Sequence, residues 1–288
     1  MKLTRDGAEV YVPDGLAPED ALARTTHLGV CAHQDDLEIM ASDGILQCFQ
    51  QKDRWFSGVV VTNGAGSPRD GLYEHYTDEM MREVRRKEQK KAADVGEYGA
   101  VTLLDHPSKA VKSPADPGPE EDIAMILRAA RPETVYTHNL ADKHDTHVAV
   151  TLRTIAALRS LPADARPKRL YGVEVWRDLD WMTDPDKVAL DLSPHENLQA
   201  ALLGVFDSQI SGGKRYDLAT QGRRRAHATY HASHGTDETT SLSYAMDLTP
   251  LLADPGLSPW AHVSGFLDHF ASDVEGRLAR LQGEEGSK

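Results

Sequence analysis

The chain has 288 residues, 40% hydrophobic and 27% charged, enough to bury a real core in one large α/β domain or two small ones. A formal charge of −13 argues against a general nucleic-acid or anionic-membrane surface, though not against a small local anion site. The two cysteines, Cys31 and Cys48, are too few for a disulfide framework or a cysteine-based zinc site. The N-terminal stretch MKLTRDGAEVYVPDG has no apolar h-region, and no stretch is apolar enough to span a membrane, so a cytoplasmic protein is the default expectation.

In chain order, HLGVCA (27–32) reads as a strand, followed by a helix from about Leu37 to Gln51. FSGVVVTNG (56–64) is a second strand ending on a turn signal. The polar loop after it leads to a charged helix, EMMREVRRKEQKKAADVG, which stops near Gly96. AVTLLD (100–105) is a third strand. A Pro-rich loop (107–119) precedes the helix EDIAMILRAAR, which Pro132 ends. TVYTHN (134–139) is a fourth strand, and THVAVTLRTIAALRS has the apolar spacing of a helix. A strand at 170–177 and a helix near 195–209 complete the layers. The region beyond 210 gives no clear pattern until a last helix at about 260–282. Alternating strands and helices predict a mostly parallel sheet with helices on both faces, in one domain over 1–288.

In such a sheet, ligands bind beyond the carboxyl ends of the strands. His33, Asp35 and Asp36 fall there after the first strand, and His138, Asp142, His144, Asp145 and His147 after the fourth. Either cluster alone reads equally well as a capped or solvated helix start; two on the same rim point to a divalent metal. Histidine nitrogens with a carboxylate suit Zn²⁺, and a catalytic zinc keeps one position for water, whose pKa it lowers toward ~7. His33, Asp36 and one histidine of the second cluster as ligands would leave Asp35 free as a base. His138, at the strand end itself, reads as structural. His106 would touch substrate or shape its loop. Lys214, Arg215 and the GRRR run (222–225) form either a phosphate-recognising cluster or a solvated or oligomer-contacting face.

AHQDDLE closely resembles the A-H-P-D-D-x-E signature of the LmbE/PIG-L-type zinc deacetylases, which act on N-acetylglucosamine-containing molecules. VVVTNGAG is similar to that family's second strand and glycine turn. RRKEQKKAADVGEYGAVTLLD resembles its R-x-x-E helix and third strand, KHDTHVAV its H-x-x-H segment, and VFDSQ an aromatic-x-S-Q element. The likeness covers about 26–210, with 211–288 as an extension completing the domain.

The resemblance implies a Rossmann-like fold, zinc (or iron in its place) on His33, Asp36 and His147, and Asp35 as general base. It implies that His144 stabilises the oxyanion and that Arg85 contacts the sugar. The implied activity is hydrolysis of an N-acetyl group from an amino sugar. A thiol-conjugate or natural-product amidase is the alternative, and an inactive sugar-binding protein stands behind both. Gln34 stands where the signature has proline. HDTH stands in place of H-P-D-H, so either Asp142 or Asp145 would orient His144. A nucleotide-binding module without hydrolysis is disfavoured: the first turn lacks G-x-G-x-x-G and sets acids where a pyrophosphate would need N–H groups.

Overall fold

A computed structural model describes residues 1–283. In chain order its elements are β1 (Glu9–Tyr11), α1 (Pro18–Ala23), β2 (His27–Cys31), α2 (Asp36–Met40), α3 (Ser42–Cys48), β3 (Phe56–Thr62), α4 (Asp78–Val95) and β4 (Ala100–His106). They continue with α5 (Ser108–Lys112), α6 (Gly118–Ala130), β5 (Thr134–His138), α7 (Asp145–Arg159), β6 (Arg169–Val173) and β7 (Lys187–Asp191). The last are α8 (Glu196–Gly204), α9 (Asp207–Ile210), α10 (Tyr216–Tyr230), β8 (Leu242–Asp247), α11 (Pro250–Ala253) and α12 (Pro259–Gln282).

The strands form one sheet in the order β1-β4-β3-β2-β5-β6-β8-β7. The central five are parallel, and antiparallel pairs close both edges. Helices cover both faces, which is why β2 and β3 read as continuous apolar runs. Leu28, Val30, Val59 and Val61 turn to the face packed by α6 and α7; Cys31, Phe56 and Val60 turn to the face packed by α2, α3, α4 and α8. Helix α2 lies close on the sheet: a Cβ at Gly29 would sit 2.6 Å from the Leu37 side chain.

The strand order grows outward from β2 on one side and from β5 on the other. The carboxyl ends of these two neighbours are therefore the switch point where an α/β sheet opens a crevice. The loops predicted to carry the metal ligands leave the sheet there.

The structure corrects the sequence reading in two places. The helix expected over Leu37–Gln51 is broken at Ala41. The carbonyls of Glu38 and Ile39, which would continue its hydrogen-bond ladder, accept from the Arg224 guanidinium instead, and the Ser42 hydroxyl also donates to Glu38 O. Arg224 is accordingly buried, so the GRRR segment offers no phosphate site and no solvated face at that residue. Its charge is held by backbone dipoles at the end of α2 and by Gln199. The region after 210, featureless in sequence, supplies α10 and the strand β8, which inserts between β6 and β7. Among the described residues no helix is long and apolar enough to cross a membrane.

Candidate metal centre and active site

The chain leaves β2 into a tight turn and re-enters a helix at Asp36. Asp35 carries the turn with φ 92°, outside the region most side chains adopt, and its carboxylate makes no capping bond. Such a conformation costs of order 1–3 kcal/mol, so helix capping does not account for this aspartate. Asp36 folds back onto its own turn and accepts from the His33 backbone N–H at 2.7 Å. Gln34 fills the proline position as a buried tie: its amide donates to Thr62 O at the end of β3.

Across the crevice His144 stands at the N-terminus of α7 and His147 one turn in. Asp142 accepts from the His144 backbone N–H at 2.9 Å and lies 3.5 Å from His147 Nδ1. With the Nδ1 proton directed at that carboxylate, the His147 Nε2 lone pair faces the crevice. Neither aspartate of the HDTH region orients the His144 ring: Asp142 serves His147 and the backbone of His144, Asp145 is exposed, and His144 Nδ1 is buried without a hydrogen-bond partner.

His33 Nδ1, Asp36 Oδ2 and His147 Nε2 form a triangle with edges of 3.2, 3.3 and 3.4 Å. Ligands bonded at 2.0–2.1 Å to a tetrahedral ion lie about 3.3 Å apart, so the triangle has the size of one face of a zinc-like site. Two imidazole nitrogens and a carboxylate oxygen could therefore hold a divalent ion and leave a fourth direction open. His138, fully buried, is the wall behind them. Its Nε2 accepts from Ala32 N at 2.9 Å, and its ring stacks on His147 at 3.8 Å.

The two adjacent aspartates are driven apart electrostatically. Burial raises the Asp35 carboxyl to about 7, with Arg85 opposing and the Asp36 charge adding to the rise. Burial acts the same way on Asp36, but His147, His138 and His33 together outweigh it and hold that carboxyl well below its usual range. Burial also lowers His144 to about 4, helped by His147 and His33, so its ring is neutral at pH 7. Environments that separate two neighbouring carboxyls in this way are what acid–base chemistry requires.

These groups open into a crevice of about 610 Å³, which Asp35, Arg85, His144, Trp176, Lys214 and Tyr216 also line. Arg85 is buried on α4, donates to Gln34 O, and sits 3.4 Å from Asp35 Oδ1; its Nη1 lies 3.8 Å from Glu88 Oε2, and neither Nε nor Nη1 makes a hydrogen bond. Sequence reasoning missed Trp176, whose ring lies parallel to that of His144, and Tyr216, which meets Trp176 edge-on. Trp176 lies in the segment read as a strand over 170–177 but past the actual end of β6 at Val173, and Tyr216 opens α10 in the region that gave no clear pattern. His106 pairs with Asp122 at 2.8 Å beneath the surface and shapes its loop. The SQ element places Ser208 against Glu88 of α4, at 2.7 Å.

Residues 28–158 match the family model described as PIG-L, GlcNAc-PI de-N-acetylase. No curated protein matches the chain. Among solved structures, the N,N′-diacetylchitobiose deacetylase of Pyrococcus horikoshii superposes with a TM-score of 0.61 at 15% identity, covering 80% of this chain and 86% of that one. The A40926 pseudoaglycone deacetylase superposes with a TM-score of 0.56 at 16% identity, over 78% of this chain and 97% of the other. A 4-carboxy-2-hydroxymuconate hydratase from Pseudomonas putida does so with a TM-score of 0.60 at 15% identity, over 78% and 96%. At such identities these likenesses speak to the fold, which a hydratase and deacetylases share. The segment 28–158 that matches the PIG-L family model carries all three residues of the triangle, His33, Asp36 and His147, which could hold a metal ion.

Proposed function

We propose that the protein is a metal-dependent hydrolase that removes an N-acetyl group from an amino-sugar-containing small molecule. The observation that carries this reading is the His33–Asp36–His147 triangle with a separate carboxyl, Asp35, beside it in one crevice. A divalent ion held there, Zn²⁺ by the character of its donors and Fe²⁺ as the alternative, supplies Lewis-acid activation of water and of the acetyl carbonyl.

The remaining steps belong to side chains. Asp35 takes a proton from the attacking water as the new O–C bond forms, its own pKa drawn down by the nearby positive charge. His144, neutral and lining the crevice, donates an N–H to the carbonyl oxygen as negative charge develops on it. The proton held by Asp35 passes to the departing nitrogen as the C–N bond breaks, giving acetate and a free amine. Arg85 fixes Asp35 from the crevice wall, where the sugar would lie. Trp176 and Tyr216 present flat apolar faces of the kind that pack against a pyranose ring.

The test has two parts: bound metal is quantified, then free amine is measured across a panel of N-acetylglucosamine derivatives. Asp35→Asn should keep its metal and lose at least about 100-fold in kcat, the usual size of a general-base contribution. A metal-loaded protein that deacetylates no member of the panel, or an Asp35→Asn variant with full activity, refutes the proposal.

A further inference from the structure

Helix α12 carries an apolar stripe that the fold leaves largely uncovered. At 3.6 residues per turn, Trp260, Val263, Leu267, Phe270, Val274, Leu278 and Leu281 fall within about 80° of one another. Val263 is buried against the body; the other six side chains are 41–76% exposed. The first half of the stripe borders a groove of about 660 Å³ whose opposite wall includes Leu140, Val148, Leu152 and Trp181. The second half, Val274, Leu278 and Leu281, lies beyond that groove and is 41–76% exposed among the described residues, and contiguous apolar surface of this extent marks a binding face.

The spacing of the stripe names its occupant. Read backwards, it reproduces itself about a point between Phe270 and Ala271: Trp260 mirrors Leu281, Val263 mirrors Leu278, and Leu267 mirrors Val274. A second copy laid antiparallel across a two-fold axis at that point would set an apolar residue opposite each of these, with Phe270 over Ala271. The free half of each helix would then lie along the grooved half of its partner. At the exposures above, the six side chains present roughly 650 Å² per copy, so a pair would bury on the order of 1,300 Å², within the range of specific interfaces. A membrane surface is the poorer fit. Interfacial helices are rich in Lys and Arg on the polar face, whereas α12 has Asp268, Asp273 and Glu275 against Arg277 and Arg280, and Asp273 already pairs with Arg277 at 3.0 Å.

We infer that the protein forms a two-fold homodimer through antiparallel packing of the α12 stripe. Sedimentation of the full chain at micromolar concentration should give twice the 31.7 kDa chain mass. Val274→Asp combined with Leu278→Asp, at positions that contribute nothing to the core, should halve that mass while leaving the melting transition in place. Register is read by cysteine cross-linking, since the native Cys31 and Cys48 are buried. Ala271→Cys, beside the axis, should form a disulfide-linked dimer, and Leu281→Cys, at the far ends, should not. A monomer at every concentration, a double aspartate variant that remains dimeric, cross-linking through Leu281→Cys but not Ala271→Cys, or co-sedimentation of monomer with anionic phospholipid vesicles would each overturn the inference.

Discussion

Replacing Glu174 by glutamine tests how the edge of the sheet holds the crevice. Glu174 is the residue after β6, buried, and its two oxygens serve four donors: Leu179 N at 3.1 Å, Ser243 Oγ at 3.2 Å, Tyr244 N at 3.1 Å and His227 Nε2 at 3.0 Å. An amide of the same shape keeps one acceptor oxygen and turns an NH₂ group toward the donors on the other side. About two donors are then stranded, at about 1–3 kcal/mol each, so Glu174→Gln should lose about 3–4 kcal/mol at pH 7. The loss is pH-dependent. Burial pushes the Glu174 carboxyl up, but the His227 hydrogen bond and charge and the Arg223 charge pull it below its ordinary 4.5. The stabilisation from a depressed carboxyl is fully present above about 4.5 and is lost as pH falls through the lower folded value, so the gap between wild type and variant should close there. Urea unfolding of both proteins at pH 7 and in steps down through pH 4 measures it. A gap that stays constant over that range, or no destabilisation at pH 7, would refute the account.

Asp142→Asn removes the carboxylate behind His147 without touching a ligand, and metal affinity measured by competition with a chelating dye should fall about 10–100-fold. Affinity equal to wild type would mean His147 is oriented by something else. Gly64, at φ +70°, leaves no room for a side chain: a Cβ would lie 2.5 Å from Gln34 Oε1 and 3.2 Å from Arg85 Cβ. Gly64→Ala should therefore cost about 1–3 kcal/mol in denaturant unfolding, and a neutral result would show that the Gln34 turn gives way easily. Arg224→Met strands the Ile39 carbonyl at the end of α2 and should destabilise the protein by about 1–3 kcal/mol, with no change in binding of inorganic phosphate by calorimetry. A stable variant that has lost phosphate binding would restore the recognition role the structure denies it.

The parts legible in sequence are those where one local pattern decides the outcome. The apolar runs of β2 to β5 declare buried parallel strands, and the amphipathic spacing of α4, α6 and α7 declares their helices. Because parallel order puts every strand's carboxyl end on one rim, the meeting of the two acid–histidine clusters followed from topology, whereas the choice of His147 among the second cluster's histidines rested on the resemblance to a known family. What local pattern does not encode is a competitor from far along the chain. The break at Ala41 exists because Arg224, remote in sequence, takes two carbonyls from the helix, and a single guanidinium leaves no periodic trace. Asp142 eluded a clear assignment for the same reason: its partners are a ring in α7 and a backbone N–H after β6. Strand β8 has only its polar-flanked six residues to announce it, and its place between β6 and β7 is set by pairing alone.

The carboxylate of Asp142 is shared property. The oxygen that faces His147 Nδ1 also accepts the backbone N–H of Trp176, at 3.0 Å, and Trp176 is part of the crevice wall. A guest that shifts Trp176 therefore changes how much of that oxygen remains for the imidazole, and with it the electron density at the Nε2 that would face a bound ion. By reciprocity, whatever the ion gains when the crevice fills, the guest gains when the ion is present. Metal and substrate should then report on each other: a titration with one, repeated at fixed levels of the other, would show a shared coupling factor in both directions.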